Sequence, residues 1–150
     1  MLEWHNKDCP YVKKHYGSGN MQKLQKAYAD KGVVWLTIIS SAKGKQGYVT
    51  GEEADRDMAE AKASPTHVLL DSEGTAGRAY GAKTTPHLFV IDGKGILRYN
   101  GAIDSVSSSD PEDIAEADNY AAAALDAVLA GKKVKKPVTR PYGCSVKYKA

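Results

Sequence analysis

Two cysteines, Cys9 and Cys144, are the residues of this chain best suited to chemistry, because each can act as a thiolate nucleophile. Cys9 lies between a short apolar–polar alternation, typical of a β-strand, and Pro10, which suits the first turn of a helix. The pattern therefore predicts a helix with Cys9 at its N-cap. Backbone N–H groups at a helix start favour thiolate over thiol, so we expect Cys9 to be partly exposed with a lowered pKa. A buried, inert cysteine is the alternative.

The composition predicts a soluble globular protein. The chain has 150 residues, of which 42% are hydrophobic and 26% are charged, as expected for one domain with one core. No apolar run approaches the ~20 residues of a membrane span, and no signal peptide is visible. The compartment stays open: the cytoplasm fits the sequence, and so does the periplasm if an upstream signal is missing.

The net charge of +3 is concentrated near the C-terminus. We call residues 132–150 the tail: this basic segment carries Cys144 and has no acidic residue, whereas residues 1–131 are predicted to form the main domain. A lysine-rich run is usually a solvated surface, and no nucleic-acid-binding motif is present, so neither nucleic acid nor a membrane is expected as a partner. Two distant cysteines, and histidines without ligand spacing, predict no metal site and no cofactor.

Strand and helix patterns alternate along the chain, which predicts a three-layer α/β/α sandwich with a mixed β-sheet. Strands are predicted at residues 2–4, 33–39, 67–71, 87–92 and 96–100, and helices at 10–16, 21–31, 51–62, 75–80 and 111–130. The strand at 33–39 is nearly all apolar, which is typical of a strand buried on both faces. Residues 142–148 of the tail contain enough apolar side chains to pack on the domain.

A series of short motifs covers most of the chain: Trp4, Asn6, Cys9-Pro10, Leu70-Asp71 with Gly74, Tyr80-Gly81, Thr84-Thr85-Pro86-His87, Val90-Ile91-Asp92, Gly101-Ala102-Ile103-Asp104 and Pro141-Tyr142-Gly143-Cys144. In this order they resemble the redoxins of the thioredoxin superfamily. The specific likeness is to the peroxiredoxin-like branch, the alkyl hydroperoxide reductase and thiol-specific antioxidant group. The resemblance implies a thioredoxin-like fold that lacks the usual N-terminal strands.

The resemblance also implies roles for several residues. Cys9 would be the nucleophilic, peroxidatic thiolate, and Pro10 would shield its sulfur and shape the helix start. The Thr85–Pro86 bond would be cis and would line a substrate groove opposite Cys9, where free backbone groups meet an extended chain. An ordinary trans proline is the alternative, since only about 5% of X–Pro bonds are cis.

Three features depart from the family pattern. Val12 stands where a thioredoxin CxxC motif has its second cysteine, Asn6 replaces the usual Thr or Ser, and Leu2 replaces an upstream proline. Asn6 can still donate a hydrogen bond to a bound oxygen, so it is predicted to line the substrate groove. The position of the family's arginine stays open, with Arg78 and Arg98 as candidates.

The implied reaction is peroxide reduction by Cys9 through a sulfenic acid. Cys144 would then form a disulfide with Cys9, and an external dithiol protein, such as a thioredoxin-like protein, would reduce it. Cys144 as a spectator thiol in a loose tail is an equally open alternative. Two other functions fit the same residues: thiol–disulfide exchange with protein disulfides, and a non-catalytic binding module that uses the groove alone.

The missing N-terminal strands lead to an expectation about assembly. In the usual sheet order of the family, a missing strand would lie beside residues 33–39 and leave that apolar strand at the edge. Exposed apolar edge strands pair readily with other chains. We therefore expect a second copy, in a homodimer, or a borrowed strand to cover this edge.

Overall fold

A computed structural model describes residues 1–150, which form seven strands. They are β1 (Leu2–Trp4), β2 (Leu36–Ile39), β3 (His67–Leu70), β4 (Thr84–Thr85), β5 (His87–Ile91), β6 (Leu97–Gly101) and β7 (Cys144–Ser145). Five of them form a mixed sheet in the order β3-β2-β1-β5-β6, in which β1, β2 and β3 are parallel and β5 is antiparallel to both of its neighbours. A separate two-stranded sheet pairs β4 with β7.

Helices flank the central sheet. They are α1 (Pro10–Gly17), α2 (Asn20–Ala29), α3 (Gly51–Glu60), α4 (Thr75–Tyr80), a 3-10 helix (Pro111–Glu116) and α5 (Tyr120–Leu129). The longest have ten residues, about half the length of a membrane span, and none has the length and apolar character needed to span a membrane. The architecture is the α/β thioredoxin-like fold that the sequence predicts.

Separate apolar clusters cover the two faces of the sheet. In β5, Leu88 and Val90 belong to a cluster of 14 buried residues with α2 and α5, whereas Phe89 lies in a second cluster. This division follows from the strand geometry, because alternate residues point to opposite faces. Tyr142 of the tail is 8% exposed and belongs to the larger cluster, so the tail packs on the domain, as predicted.

The single long helix predicted near the C-terminus is wrong in its first half. Residues Pro111–Glu116 form a 3-10 helix, and Ala117 is extended, with a ψ of 148°. The loop at Ser105 holds this break open, because its backbone N–H and side-chain Oγ both bond to the backbone of Asp118. The side chain of Asn119 then caps a new helix, α5. Tertiary hydrogen bonds thus override the helical propensity of the segment.

The expectation that residues 33–39 form a sheet edge is also wrong. Strand β2 is shorter than predicted and lies inside the sheet, where β1 pairs with one side and β3 with the other. Val34, before the strand, is 56% exposed rather than buried. The edge strands of the sheet are β3 and β6, and Leu69 and Leu70 of β3 are 43% and 46% exposed. The reason for expecting a second copy beside β2 therefore disappears.

A buried carboxylate ties the first strand to its surroundings. Glu3 of β1 is 0% exposed, and its oxygens accept hydrogen bonds from four side chains: Tyr16 (2.6 Å), Gln25 (3.3 Å), Trp35 (2.8 Å) and Thr37 (3.0 Å). Burial alone would raise the pKa of Glu3, but His5, Tyr16 and Trp35 outweigh it and lower the pKa below its usual value. The network fixes β1, and so the loop that begins after it.

We expect Glu3→Gln to lower the free energy of unfolding by about 1.5–3 kcal/mol, the contribution typical of a hydrogen bond to a charged group. Because the pKa of Glu3 is lower in the folded state, its contribution is full above the pKa of the unfolded carboxyl. It is lost as the pH falls through the folded-state pKa. Urea unfolding of both proteins between neutral and acidic pH checks this, and a difference that grows on acidification would contradict it.

Candidate functional site

The candidate site is built around Cys9, which occupies the N-cap of α1, with Pro10 at the first helical position, as predicted. The expected partial exposure is wrong, because Cys9 is 0% exposed. Its sulfur lies against the Thr85 carbonyl and against Cys144 of the tail, which fills the space above it. The tail, added from the far end of the chain, is therefore what buries the predicted nucleophile.

The Thr85–Pro86 peptide bond is cis, as predicted, and it adjoins Cys9. The Cys9 thiol donates a hydrogen bond to the Thr85 carbonyl oxygen at a sulfur–oxygen distance of 3.2 Å. Thr85 is 2% exposed, and its hydroxyl Oγ1 is buried without a hydrogen-bond partner. Burying a hydroxyl without a hydrogen-bond partner costs free energy. Because the Thr85 hydroxyl has no partner, it is free to donate to an ionised sulfur or to a bound oxygen.

Cys144 reaches Cys9 through strand pairing. Strand β7 runs antiparallel to β4, with Cys144 opposite Thr85 and Ser145 opposite Thr84. The sulfur atoms of Cys9 and Cys144 lie 2.7 Å apart, and both thiols are free. A disulfide would require a separation of about 2.03–2.05 Å. The two sulfurs are therefore close enough to form a disulfide without a large movement of the chain.

The two thiols differ in acidity. Burial alone would raise the pKa of Cys9, but three neighbouring donors stabilise its thiolate and lower the pKa: the Cys144 thiol, the unpartnered Thr85 hydroxyl and the backbone N–H of Val12. Val12 lies in the first turn of α1, so part of the effect is the predicted helix N-terminus. Burial, the shared hydrogen bond and the charge of Cys9 raise the pKa of Cys144 to about 11. Cys9 therefore loses its proton first.

A pH titration should show this difference. Followed by the ultraviolet absorbance of the thiolate, the reduced protein is expected to give a first step below the ~8.5 of a free cysteine. A lowered pKa means that the Cys9 thiolate persists to lower pH, so the first step is the ionisation of Cys9. Cys9→Ser should therefore remove this step, whereas Cys144→Ser should retain a first step. A first step that survives Cys9→Ser at the same pH would assign it to another group.

The tail lies along the cis Thr85–Pro86 bond, where the family resemblance implies a substrate groove. Beyond β7, the Tyr148 hydroxyl donates to the carbonyl oxygen of Ala82 at 2.6 Å, and its ring lies over Gly74 and Gly77. A side chain at either glycine would contact this ring at less than 3 Å. The position of the Tyr148 ring therefore requires glycine at both positions, 74 and 77.

The other predicted groove residue, Asn6, accepts the backbone N–H of Cys9 on its backbone carbonyl oxygen, but its side chain is already engaged. Its side-chain Nδ2 donates to Gln46 at 3.1 Å, and its Oδ1 accepts from the backbone of Asp8 at 2.9 Å. Neither candidate arginine lies at Cys9, since Arg98 pairs with Asp92 and Arg78 bonds to Lys149 and packs on Tyr148. The site therefore contains Cys9, Pro10, Thr85, Pro86 and Cys144, and neither arginine belongs to it.

A buried polar cluster beside the thiols was not predicted from the sequence. We call Lys14, His15, Asp104 and Tyr142 the Tyr142 cluster; its members are between 0% and 8% exposed. The Tyr142 hydroxyl donates to Asp104 Oδ1 at 2.7 Å, and it lies 3.3 Å from Lys14 Nζ and 3.0 Å from His15 Nε2. The one signal in the sequence was the position of Tyr142, two residues before Cys144. Its apolar ring predicts packing on the domain, but it does not predict the hydrogen bonds of its hydroxyl.

Solved structures of two other proteins resemble this chain over 99% of its length. One is a hypothetical protein from Sinorhizobium meliloti 1021, with 25% sequence identity and a TM-score of 0.81, of which 79% is covered. The other is an uncharacterized conserved protein from Geobacillus kaustophilus, with 25% identity and a TM-score of 0.80, of which 76% is covered. No curated protein matches the sequence.

The family model for Redoxin matches residues 3–120, which is well over half of the chain. The matched segment includes Cys9 at the start of α1 and the cis Thr85–Pro86 bond, whereas Cys144 lies beyond it. The match and the thioredoxin-like fold agree, and the chain belongs to the Redoxin family of the thioredoxin superfamily.

Proposed function

We propose that this protein is a two-cysteine thiol oxidoreductase that reduces a small peroxide, with Cys9 as the nucleophile and Cys144 as the resolving thiol. The observation that carries the proposal is the contact between their sulfur atoms at 2.7 Å. The opposite pKa shifts support the same division, because one thiol ionises readily and the other keeps its proton. Attack on an electrophile requires the thiolate.

The burial of Cys9 favours a small oxidant. A protein disulfide cannot reach a sulfur that is 0% exposed while β7 is paired with β4. An open polar cleft of about 620 Å³, lined in part by Tyr11, Thr84 and Gly143, borders the backbone next to Cys144. A small shift of Gly143 and Cys144 would admit a peroxide from this cleft. The free hydroxyl of Thr85 would then donate to the peroxide oxygen.

Oxidation of the dithiol takes two steps. The Cys9 thiolate attacks one peroxide oxygen and the O–O bond breaks, so Cys9 becomes a sulfenic acid while the other oxygen takes a proton and leaves as water or an alcohol. The Cys144 thiol then attacks the Cys9 sulfur, and the sulfenic hydroxyl leaves as water together with the Cys144 proton. Two electrons pass from the dithiol to the peroxide. Because the sulfurs are already in contact, the second step needs no large movement of the chain.

Reduction is expected to begin at Cys144, which is the more exposed member of the pair. The thiolate of an external dithiol attacks the Cys144 sulfur and Cys9 leaves, which is the favourable direction because the thiol with the lower pKa leaves faster. The second thiol of the donor then attacks the mixed disulfide, which releases Cys144 and the oxidised donor. A thioredoxin-like dithiol protein fits this requirement as the reductant.

The product of one oxidation tests the proposal. The reduced protein is treated with one equivalent of hydrogen peroxide, and its peptides are mapped by mass spectrometry. We expect a Cys9–Cys144 disulfide within one chain in the wild type, and a sulfenic acid trapped by dimedone on Cys9 in Cys144→Ser. Failure of the wild type to react, or disulfides formed only between chains, would reject the proposal.

A second candidate function is exchange with protein disulfides. The pairing of β7 with β4 favours it, because the tail lies along the same backbone edge beside Pro86 that an extended substrate would use. Displacement of β7 would expose both the groove and Cys9. Reduction of insulin disulfides without peroxide turnover would support this function. Neither activity, together with slow alkylation of Cys9, would indicate a binding module.

A further inference from the structure

We infer that Tyr142 is a positioning residue, held by Lys14 and Asp104, that places Cys144 on Cys9. The inference rests on the proposed function, because it concerns how the resolving thiol is brought to the nucleophile. Tyr142 is separated from Cys144 by one residue, Gly143. It is 8% exposed and packs in the large core cluster, so it is the point at which the tail next to β7 is anchored in the domain.

The anchor combines packing with charge. The Lys14 ammonium, 2% exposed, donates to the carbonyl oxygens of Val106 (3.2 Å) and Ser108 (2.9 Å), and lies 3.3 Å from the Tyr142 hydroxyl. The same hydroxyl donates to the carboxylate of Asp104. It therefore bridges a buried cation and a buried anion. Charges in the interior need such partners, which makes the position of Tyr142 well determined.

The remaining members of the cluster complete the bridge. Burial holds the pKa of His15 at about 4, so its ring is neutral at pH 7 and adds no second cation. Asp104 Oδ2 is buried without a hydrogen-bond partner, which leaves the Tyr142 hydroxyl and the backbone N–H of Val106 as donors to this carboxylate, both on Oδ1. Loss of the hydroxyl would thus leave the carboxylate with one donor and loosen the tail where it carries Cys144.

The chain offers a matched control for this bond. The hydroxyl of Tyr28 donates to Asp126 Oδ1 at 2.7 Å, the same kind of bond at the same length, and Tyr28 belongs to the same core cluster. Tyr28 lies on α2 and Asp126 on α5, and neither contacts the thiols. Tyr28→Phe therefore removes a tyrosine–aspartate hydrogen bond of the same length, to an acceptor that is 60% exposed rather than buried, without changing the anchor of Cys144.

The experiment compares wild type, Tyr142→Phe and Tyr28→Phe by two measurements on the folded proteins. The first is the affinity of the reduced protein for phenylarsine oxide, which binds two adjacent thiols with loss of water and so reports their proximity without any redox step. The second is the equilibrium constant of the Cys9–Cys144 disulfide against glutathione. We expect Tyr142→Phe to lower both by about tenfold, and Tyr28→Phe to change each by less than about twofold.

The outcomes separate the two proposals. Equal values for Tyr142→Phe and Tyr28→Phe in both measurements would overturn the positioning role. If Tyr142→Phe loses arsenical affinity but the wild type does not react with peroxide, the positioning role stands and the proposed peroxidase function fails. Should Tyr142→Phe not fold, Asp104→Asn removes the charge of the acceptor while keeping its shape. It is expected to lower the arsenical affinity, and an unchanged affinity would overturn the inference.

Discussion

Cys9→Ser is expected to abolish peroxide turnover, and Cys144→Ser is expected to keep the first turnover but slow every later one. Without Cys144, the sulfenic acid on Cys9 must wait for an external thiol. Reactions between well-placed groups in one molecule have effective concentrations far above those of millimolar donors, so we expect resolution to slow by at least about 100-fold. Peroxide consumption in the presence of a dithiol donor, measured in burst and steady-state phases, checks both variants.

The neighbour of Cys144 supplies the control for this comparison. Ser145 is exposed, and its side-chain oxygen bonds only to Lys147 of the same segment, so Ser145→Ala keeps β7 and both thiols. It should therefore turn over peroxide like the wild type. Steady-state turnover of Cys144→Ser at the wild-type rate would show that an external thiol resolves Cys9 and that Cys144 is a bystander. Turnover by Cys9→Ser would remove the peroxidase proposal altogether.

The local features of the site could be predicted because short-range rules determine them. Cys9 followed by Pro10 leaves few alternatives to a helix start, since proline tolerates only the first turn of a helix. Outside the site, the start of α3 near the predicted residue 51 follows the same kind of rule, because Thr50 and Glu53 form a capping box. The cis bond before Pro86 needed the resemblance as well, because trans bonds dominate among prolines in general.

The features that were missed depend on residues far apart in the chain. The burial of Cys9 comes from Cys144, 135 positions later, and no periodicity of either segment reports it. The place of β2 inside the sheet depends on β1 pairing beside it, and the break before α5 depends on Ser105 bonding to Asp118. In each case a tertiary contact decided between local structures that the sequence alone allowed.

The docked tail also explains a glycine that no turn requires. Gly143 has a φ of 142°, in the region that favours glycine, and its α-carbon faces the backbone of Thr85 so closely that a side chain there would overlap the Thr85 carbonyl. The close approach lets Cys144 lie against Cys9 while β7 pairs with β4. Gly143 therefore allows the chain to pass from the buried Tyr142 directly into β7.

Gly143→Ala should uncover Cys9 in the reduced protein. A residue with a side chain held in an unfavourable backbone conformation costs about 1–3 kcal/mol. This cost falls on the state in which β7 is paired with β4 over Cys9. The fraction of molecules in which β7 is released then rises about 5- to 150-fold, and the alkylation of Cys9 by iodoacetamide accelerates by the same factor. Quenched alkylation followed by peptide mapping measures this rate for Cys9 separately from that for Cys144.

Gly131→Ala provides the matched control. Gly131 also has a positive φ, of 68°, but a side chain there would meet no atom within 4 Å, and the residue lies just before the tail, 12 positions before Gly143. Gly131→Ala should carry a similar backbone penalty and leave the alkylation rate of Cys9 unchanged. Equal acceleration in both variants would mean that general destabilisation, and not the release of β7 from Thr85, exposes the sulfur. Cys9 alkylation at the wild-type rate in Gly143→Ala would show that the tail does not control access to it.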